Sequence, residues 1–241
     1  RGYKAAQGPG AGGSSSGGGG GGHGGIGGLP YGKSPLAPGA ANGDARFPGS
    51  PGSGGGLAVG GAGGGVVRID CTGQATLFGT IQAAGGKAGQ DAGGGSGGSI
   101  WLSCQGLSIH SDGLLSAPGG AGQDTGAGGG GGRIAIHYQT PPASIPPLRL
   151  STDGGVKGGR STQGQVGTLY LSDAALLPTT LGASPISYTR LVLGVPSWTV
   201  SSLAAPASTI GFSGDGFRLH VEGDLSVNGS SSQLSFGDDV S

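Results

Sequence analysis

Short apolar runs with a two-residue alternation recur along the middle of the chain. They read VVRIDC from Val66, SIWLSC from Ser99, RIAIHY from Arg133 and TLYLSD from Thr168, so successive runs start 33, 34 and 35 residues apart. Alternate positions in each run are apolar, which is typical of a β-strand that buries one face. The predicted inward positions are Val67, Ile69, Ile100, Leu102, Ile134, Ile136, Leu169 and Leu171.

The stretches between these strands repeat as well. LFGTIQAAGGKAGQDAGGGSGG from Leu77 matches SDGLLSAPGGAGQDTGAGGGGG from Ser111, and LRLSTDGGVKGG from Leu148 is a third copy. If each unit returns the chain to a point one strand spacing further on, equivalent strands stack in parallel about 4.8 Å apart. The sequence therefore predicts an all-β fold without significant α-helix: a parallel, β-helix-like β-solenoid with turns of about 34 residues. A β-sandwich is the competing architecture, but it does not account for the fixed period.

The repeat and the glycine content divide the chain into three regions. Residues 1–65 are predicted to form a glycine-rich N-terminal layer, and residues 66–183 the solenoid repeats. Residues 184–241 contain less glycine but still alternate. They are predicted to form either further turns of the same coil or a small β module.

Glycine supplies 63 of the 241 residues, several times the usual share of roughly 7%. A glycine backbone can adopt an extended helix with three residues per turn, which makes no internal hydrogen bonds and must find partners on neighbouring segments. The tracts before Ile100 and Arg133 are predicted to pack as adjacent layers covered by 17–28, with His23, Ile26 and Leu29 along one edge that docks on the core. A flexible glycine and serine linker is the alternative that composition alone favours.

Charge and composition exclude several classes of partner. Twelve Lys and Arg residues balance twelve Asp and Glu residues, so no field attracts nucleic acid or an anionic membrane. No apolar run reaches the roughly 18 residues of a membrane span, so membrane insertion is not expected. Low charge, abundant serine and threonine, two cysteines and an Asn-Gly-Ser sequon at Asn228 favour a secreted or cell-surface glycoprotein. Asn-Gly is also a preferred turn dipeptide, so the sequon has an ordinary structural alternative.

The two cysteines occupy the same position in successive units. Cys71 and Cys104 are 33 residues apart and share the parity of the inward residues. Adjacent strands bring such positions within reach of a disulfide, which is the pairing predicted for a secreted chain. A pair of buried thiols is the alternative, because free cysteine also behaves as a small core residue.

Two further columns suggest binding sites. On the outward parity Arg68, Trp101 and Tyr170 align and could form a contact face for sugar rings or another subunit, unless a loop or the glycine layer covers them. Asp91 and Asp124 repeat one unit apart in glycine-rich turns, where they are candidates for calcium or, alternatively, for capping backbone amides. No other metal and no cofactor are expected.

The sequence contains no recognisable catalytic constellation. The acids near predicted strands, Asp70, Asp112 and Asp153, fall at different places in their units, and no histidine is grouped with them. A polysaccharide-cleaving β-helix needs a carboxylate pair a few ångströms apart, so an enzyme is only a remote alternative.

One ordered series of motifs resembles a known kind of segment. The order is GPGAG, GGGGGGHGGIGG, YG, GSGGG, GGAGGGVVRI, GGGSGGSIWLSC, APGGAG and GGGGGGRIAIHY, covering about residues 2 to 138. It resembles a glycine-rich, β-solenoid-like segment of large secreted or cell-surface proteins of algae, other protists, plants and some bacteria. The resemblance implies an extracellular, non-enzymatic segment and supplies no catalytic residues. Its typical VIRI and IAIYY differ slightly from VVRI and IAIHY here, and the region after Tyr138 has no clear match.

These observations lead to one functional hypothesis and two alternatives. The first is a structural subunit of an extracellular fibre, appendage or surface coat that self-assembles into a homo-oligomer or filament through open strand edges. The second is a glycan- or surface-binding adhesin module that uses the Trp101 and Tyr170 face. The remote third is the polysaccharide-degrading enzyme.

Overall fold

The computed structural model describes residues 1–14, 16–32, 37–142, 149–181, 188–214, 216–230 and 232–237. These ranges contain fifteen strands and no helix. The strands are β1 (Val66–Asp70), β2 (Gln74–Leu77), β3 (Thr80–Gln82), β4 (Ser99–Ile109), β5 (Leu114–Ser116), β6 (Arg133–Thr140), β7 (Arg149–Ser151), β8 (Thr168–Leu171), β9 (Tyr188–Leu193), β10 (Ser197–Val200), β11 (Leu203–Pro206), β12 (Thr209–Ser213), β13 (Arg218–Val221), β14 (Leu225–Asn228) and β15 (Gln233–Phe236).

The four apolar runs lie side by side in one large sheet. Its order is β1-β4-β6-β8-β9-β12-β15, with β2 also paired to β4, and each of these pairings is parallel. The register places Val67, Ile100, Ile134 and Leu169 in one row. The alternation therefore predicted the inward face and the parallel stacking of these strands, because every strand buries the same parity.

The predicted β-solenoid is wrong. The described strands form four separate sheets, one of eight strands, one of three (β3-β5-β7) and two of two (β10-β13 and β11-β14), and no closed coil is found among them. The second half of each repeat, expected to supply a second strand and glycine corners, contributes only the three-residue strands β3, β5 and β7. The rest of that half is extended glycine-rich backbone that bonds sideways to other segments instead of forming a ladder.

These glycine segments form a hydrogen-bonded bundle beside the large sheet. In segment 92–98 the amides of Gly94 and Gly97, three residues apart, donate to Ala127 and Gly130 at 2.9 Å each. The intervening amides donate to two other segments, 52–56 and 83–89. Bonding to one neighbour at every third residue is what three residues per turn requires. A flexible linker is therefore not what these tracts form.

The N-terminal tract takes part in the same bundle. Gly18 and Gly21 accept hydrogen bonds from segment 126–132, and the Gly21 amide donates to Gly94. The edge predicted to dock on the core is only partly inside the protein: His23 is fully buried, Ile26 is half-buried and Leu29 is exposed.

Close backbone approach explains why the bundle needs glycine. A Cβ added to Gly97 would lie 2.1 Å from the Ala117 carbonyl oxygen and 2.5 Å from the Gly132 nitrogen. Both are backbone atoms of neighbouring segments and cannot rotate away. A side chain at this position would therefore force two segments apart.

One apolar core runs through the strands of both halves of the chain. It includes Ile100, Ile134 and Leu169 from the glycine-flanked strands, and Leu191 and Phe212 from the later region. Strands β9, β12 and β15 extend the large sheet beyond β8. The predicted boundary between 183 and 184 lies outside the described residues. No helix in the described part of the chain is long and apolar enough to cross a membrane.

Candidate functional site

The predicted contact face lies on the outer side of the large sheet, where a second segment covers it. Arg68, Trp101, Ala135 and Tyr170 form one row across β1, β4, β6 and β8. Trp101 is only 7% exposed and Tyr170 only 9%. These two rings are therefore not a free platform for a sugar or another subunit, and the structure shows the alternative in which the row is covered.

Two aromatic rings enclose this row. The Phe47 ring stacks on Trp101 with centroids 5.5 Å apart, and the His137 ring lies 4.2 Å from Trp101 and 4.7 Å from Tyr170. Phe47 keeps 63% of its surface exposed. The outermost ring of the stack is thus Phe47, while Trp101 and His137 support it from beneath.

A buried arginine holds the covering segment 42–50 on the sheet. Arg133 Nε and Nη2 donate to the Asn42 carbonyl at 3.1 and 2.8 Å, and Nη1 donates to Thr168 Oγ1 at 2.9 Å. Burial lowers the pKa of Arg133 to about 10, so the guanidinium remains charged at neutral pH. Since the charge is desolvated and bound mainly to neutral acceptors, its position depends on these hydrogen bonds.

His23 fastens the same segment from the glycine bundle. Its Nδ1 lies 3.2 Å from Asn42 Oδ1 and its Nε2 lies 2.8 Å from Ser99 Oγ. The Asn42 amide group donates to the Gly22 and Ala40 carbonyls, so Oδ1 is left as the acceptor for His23. Burial lowers the pKa of His23 to about 4, so the ring is neutral at physiological pH.

Next to the aromatic stack, a polar row runs from the carboxyl end of β1 across the middle of β4 and β6 to the carboxyl end of β8. The register aligns Asp70, Ser103 and His137, and Ser172 follows β8 at the equivalent place. These four residues, called the strand-end strip below, line a depression of about 450 Å³. The other residues around it are Cys71, Thr72, Cys104, Gln105, Tyr138 and Gln139.

The carboxylate of the strip is held in place by two donors. Arg68 Nε donates to Asp70 Oδ2 at 2.8 Å, and the Trp101 indole donates to Oδ1 at 3.0 Å. The hydrogen bond from Arg68 and then that from Trp101 lower the pKa of Asp70 below its usual value. Asp70 is thus an oriented acceptor at one end of the strip, with its charge offset by Arg68.

At the other end of the strip, a second acid fixes the neighbouring tyrosine. The Tyr138 hydroxyl donates to Asp173 Oδ1, which also accepts the Ala175 amide at 2.7 Å. Burial, and then the bond to Asp173, raises the pKa of Tyr138. Tyr138 stays a neutral phenol and acts as a structural anchor.

The cysteines face each other across the edge of the large sheet as unbridged thiols. Cys71 is half-buried and Cys104 is buried, and Cys104 Sγ lies 3.7 Å from the His137 carbonyl oxygen. The Cys71 amide donates to the Ser103 carbonyl at 2.8 Å, which continues the β1–β4 register by one residue. The structure thus places the two cysteines at neighbouring positions of the β1–β4 register, as the spacing predicted, without the predicted disulfide.

We expect this pair to close when an oxidant is supplied. Adjacent parallel strands lie about 4.8 Å apart, within the Cα separations that disulfides span. Oxidised glutathione should convert the two thiols to a disulfide, releasing two glutathione molecules and removing two hydrogen atoms from the protein. Burial raises the pKa of Cys104, so the reaction should be faster at higher pH. Intact mass before and after treatment measures the change.

The control for this reaction is Cys71→Ser, which keeps only the buried thiol. It should lose no hydrogen atoms under the same conditions. A stable mixed disulfide with glutathione on Cys71 of the unmodified chain, with no internal bridge, would show that the strand geometry does not permit closure.

Of the two repeated aspartates, Asp91 caps the turn of the next unit. Asp91 Oδ1 accepts from Thr125 Oγ1 at 2.8 Å and from the Thr125 amide at 3.4 Å. Both Asp91 and Asp124 have positive φ, 57° and 52°, at the left-handed position of a turn. No group of three or more His, Cys, Asp or Glu side chains that could hold a metal ion occurs among the described residues. The capping alternative is what the structure shows at Asp91, and the calcium hypothesis gains no geometric support.

The sequon lies at the surface. Asn228 is the exposed last residue of β14, and its Nδ2 donates to Ser226 Oγ at 2.5 Å. Gly229 follows with φ of 119°. The site combines an accessible acceptor with a turn, so the glycosylation prediction and the turn alternative both stand.

Comparison with known proteins found no matching family model, no matching curated protein and no matching solved structure. The site is accordingly interpreted from its own geometry. The described residues of the site form an aromatic stack, an oriented carboxylate and a pair of thiols. Among the residues that line the depression, Asp70 has no second carboxylate to pair with.

Several residues that define this site carried no signal in the sequence. Phe47 and Asn42 belong to an irregular stretch, and Arg133 and His137 look like ordinary outward positions of a strand. Their roles arise because segment 42–50 crosses the sheet more than 80 residues away in the chain, as the separation of 91 residues between Arg133 and Asn42 shows. Contacts at that separation leave no local periodicity that could reveal them.

Proposed function

We propose that the protein is a non-enzymatic structural subunit of an extracellular fibre, appendage or surface coat. The observation that carries the proposal is the glycine bundle, in which backbone amides of many segments donate to neighbouring segments in three directions. Such a body is stiffened by main-chain bonds and needs few charges or large side chains. Among the described residues it presents a scaffold, with no group of three or more His, Cys, Asp or Glu side chains that could hold a metal ion.

Open strand edges support self-assembly. Within the described residues β1 and β15 are the two edges of the large sheet, each paired on one side only. Exposed apolar side chains accompany both edges, among them Val66 and Phe78 near the first and Leu225 and Phe236 near the second. Unpaired parallel edges with apolar neighbours template the addition of further strands. A homo-oligomer or filament is the assembly we infer.

Electron microscopy and light scattering of the full chain test this proposal. We expect elongated particles whose mass grows with concentration. Val66→Lys places a charge on the β1 edge and should shift the onset of assembly to at least tenfold higher concentration, since edge lysines block strand addition. Val156→Lys, an equally apolar exposed position outside the strands, is the control and should assemble normally. A chain that remains monomeric at millimolar concentration contradicts the proposal.

A further inference from the structure

We propose that the strand-end strip, with Phe47 beside it, is a binding site for a neutral saccharide chain. The strip crosses four parallel strands, so Asp70, Ser103, His137 and Ser172 succeed one another along the stacking direction. Its span is roughly 14 Å, three strand spacings of about 4.8 Å. His137 Nε2 already bonds the Arg46 carbonyl at 2.9 Å, and Ser172 Oγ bonds the Ile136 carbonyl at 3.3 Å, so Asp70, Ser103 and the side chains around the row supply the groups for a ligand. The row is linear, which suits an extended chain of repeating units.

The side chains around the strip are available to a ligand. Thr72, Ser103, Gln105 and Gln139 all line the depression, and no side-chain hydrogen bond joins any of them to another described residue. Together they offer hydroxyl and amide groups that both donate and accept. Asp70 adds an acceptor whose direction is already set by Arg68 and Trp101. This combination matches the many hydroxyl groups of a sugar.

Phe47 supplies the apolar part of the site. One face of its ring rests on Trp101 and on His137, with centroids 5.5 and 5.9 Å away, while the side chain stays 63% exposed. His137 belongs both to this stack and to the strip. The C–H face of a sugar ring can pack on such an aromatic surface while its hydroxyl groups bond to the neighbouring polar row.

The local charge and the paired backbone select the class of ligand. Asp70 is the acid of the strip and Arg68 neutralises it, so the site carries no excess positive charge for an acidic sugar or a phosphate. An extended peptide that pairs with the open β1 edge would run parallel to the strands, whereas the strip runs across them from β1 to β8. A neutral saccharide, which binds through side chains alone, is the partner that fits.

Calorimetric titration of the full chain with neutral hexasaccharides tests the inference, using β-1,4-gluco-, xylo- and manno-oligomers as separate probes. We expect at least one to bind with little dependence on salt. Phe47→Ala should weaken that binding at least tenfold. Phe78→Ala is the matched control, because Phe78 is 62% exposed and its ring stacks on that of His110 with centroids 5.0 Å apart. Phe78 does not line the depression. The variant should leave binding unchanged.

A second pair of variants guards against a folding artefact. Gln105→Ala and Gln139→Ala alter exposed side chains outside the aromatic stack, and each should weaken binding severalfold with unchanged circular dichroism. Three results would overturn the proposal: no binding of any neutral hexasaccharide, equal effects of Phe47→Ala and Phe78→Ala, or tighter binding of oligogalacturonate or of an uncharged peptide. These titrations use dilute protein, so their outcome does not depend on whether the chain assembles.

Discussion

Replacing Gly97 by alanine is expected to destabilise the fold by at least about 3 kcal/mol, the upper part of the range for overpacked sites. The new Cβ would lie 2.1 Å from the Ala117 carbonyl oxygen and 2.5 Å from the Gly132 nitrogen. Relief of this overlap must move backbone of two neighbouring segments, each tied by its own hydrogen bonds. Urea unfolding followed by circular dichroism measures the loss of free energy.

The matched control is Gly79→Ala. A Cβ at Gly79 meets no atom within 4 Å, and its backbone is not in the left-handed region. Alanine there should be neutral or stabilising by up to about 1 kcal/mol, because it restricts the unfolded chain. Equal stability of the two variants would mean that the bundle accommodates side chains and that its segments are not in close contact.

Acid should weaken the protein through His23. Burial lowers the pKa of His23 from 6.5 to about 4 in the folded state. Between these values His23 is protonated in the unfolded chain but not in the folded chain, so the free energy of unfolding falls as the pH drops from 6.5 to 4. The full loss, reached below pH 4, is about 3 kcal/mol. The free energy of unfolding measured from pH 7.5 to 4 tests this expectation.

Two variants isolate this residue. His23→Gln removes the titrating group and should flatten the stability profile between pH 6.5 and 4, whatever its effect at neutral pH. His220→Gln changes an exposed histidine and should keep the slope. Asp70, whose lowered pKa also favours the folded state at higher pH, loses its contribution only below its usual value of 3.8 and so leaves this window undisturbed. An unchanged slope in His23→Gln would show that His23 is not the acid-sensitive group.

The alternation of side chains and the repeat along the sequence each predicted part of the structure. The alternation in VVRID and SIWLS predicted the inward face, because the side chains of a strand alternate whatever lies around it. The repeat of about 34 residues predicted which strands are neighbours, and through them the juxtaposition of Cys71 and Cys104. The recurring glycine tracts predicted side-by-side packing for the same reason.

The sequence did not predict how distant segments pack against one another. The glycine halves of the repeat were expected to turn corners in a solenoid, but they form the bundle, since backbone amides without side chains can bond in three directions. The sequence left the Trp101 and Tyr170 face either open or covered, and segment 42–50 covers it through the bonds of Arg133 and His23. Neither outcome has a local signature.

By itself the sequence determined that this protein is an all-β chain with parallel, apolar-faced strands and closely packed glycine, because these properties follow from side-chain parity and from the lack of a Cβ. Only the tertiary structure decided that the strands divide into four sheets, that Phe47 is the exposed ring of the aromatic stack, and that Asp70, Ser103, His137 and Ser172 form one row. The physical reason is distance along the chain. Strand pattern is encoded within a few residues, whereas the covering segment and the strip are made by contacts between residues that are tens of positions apart.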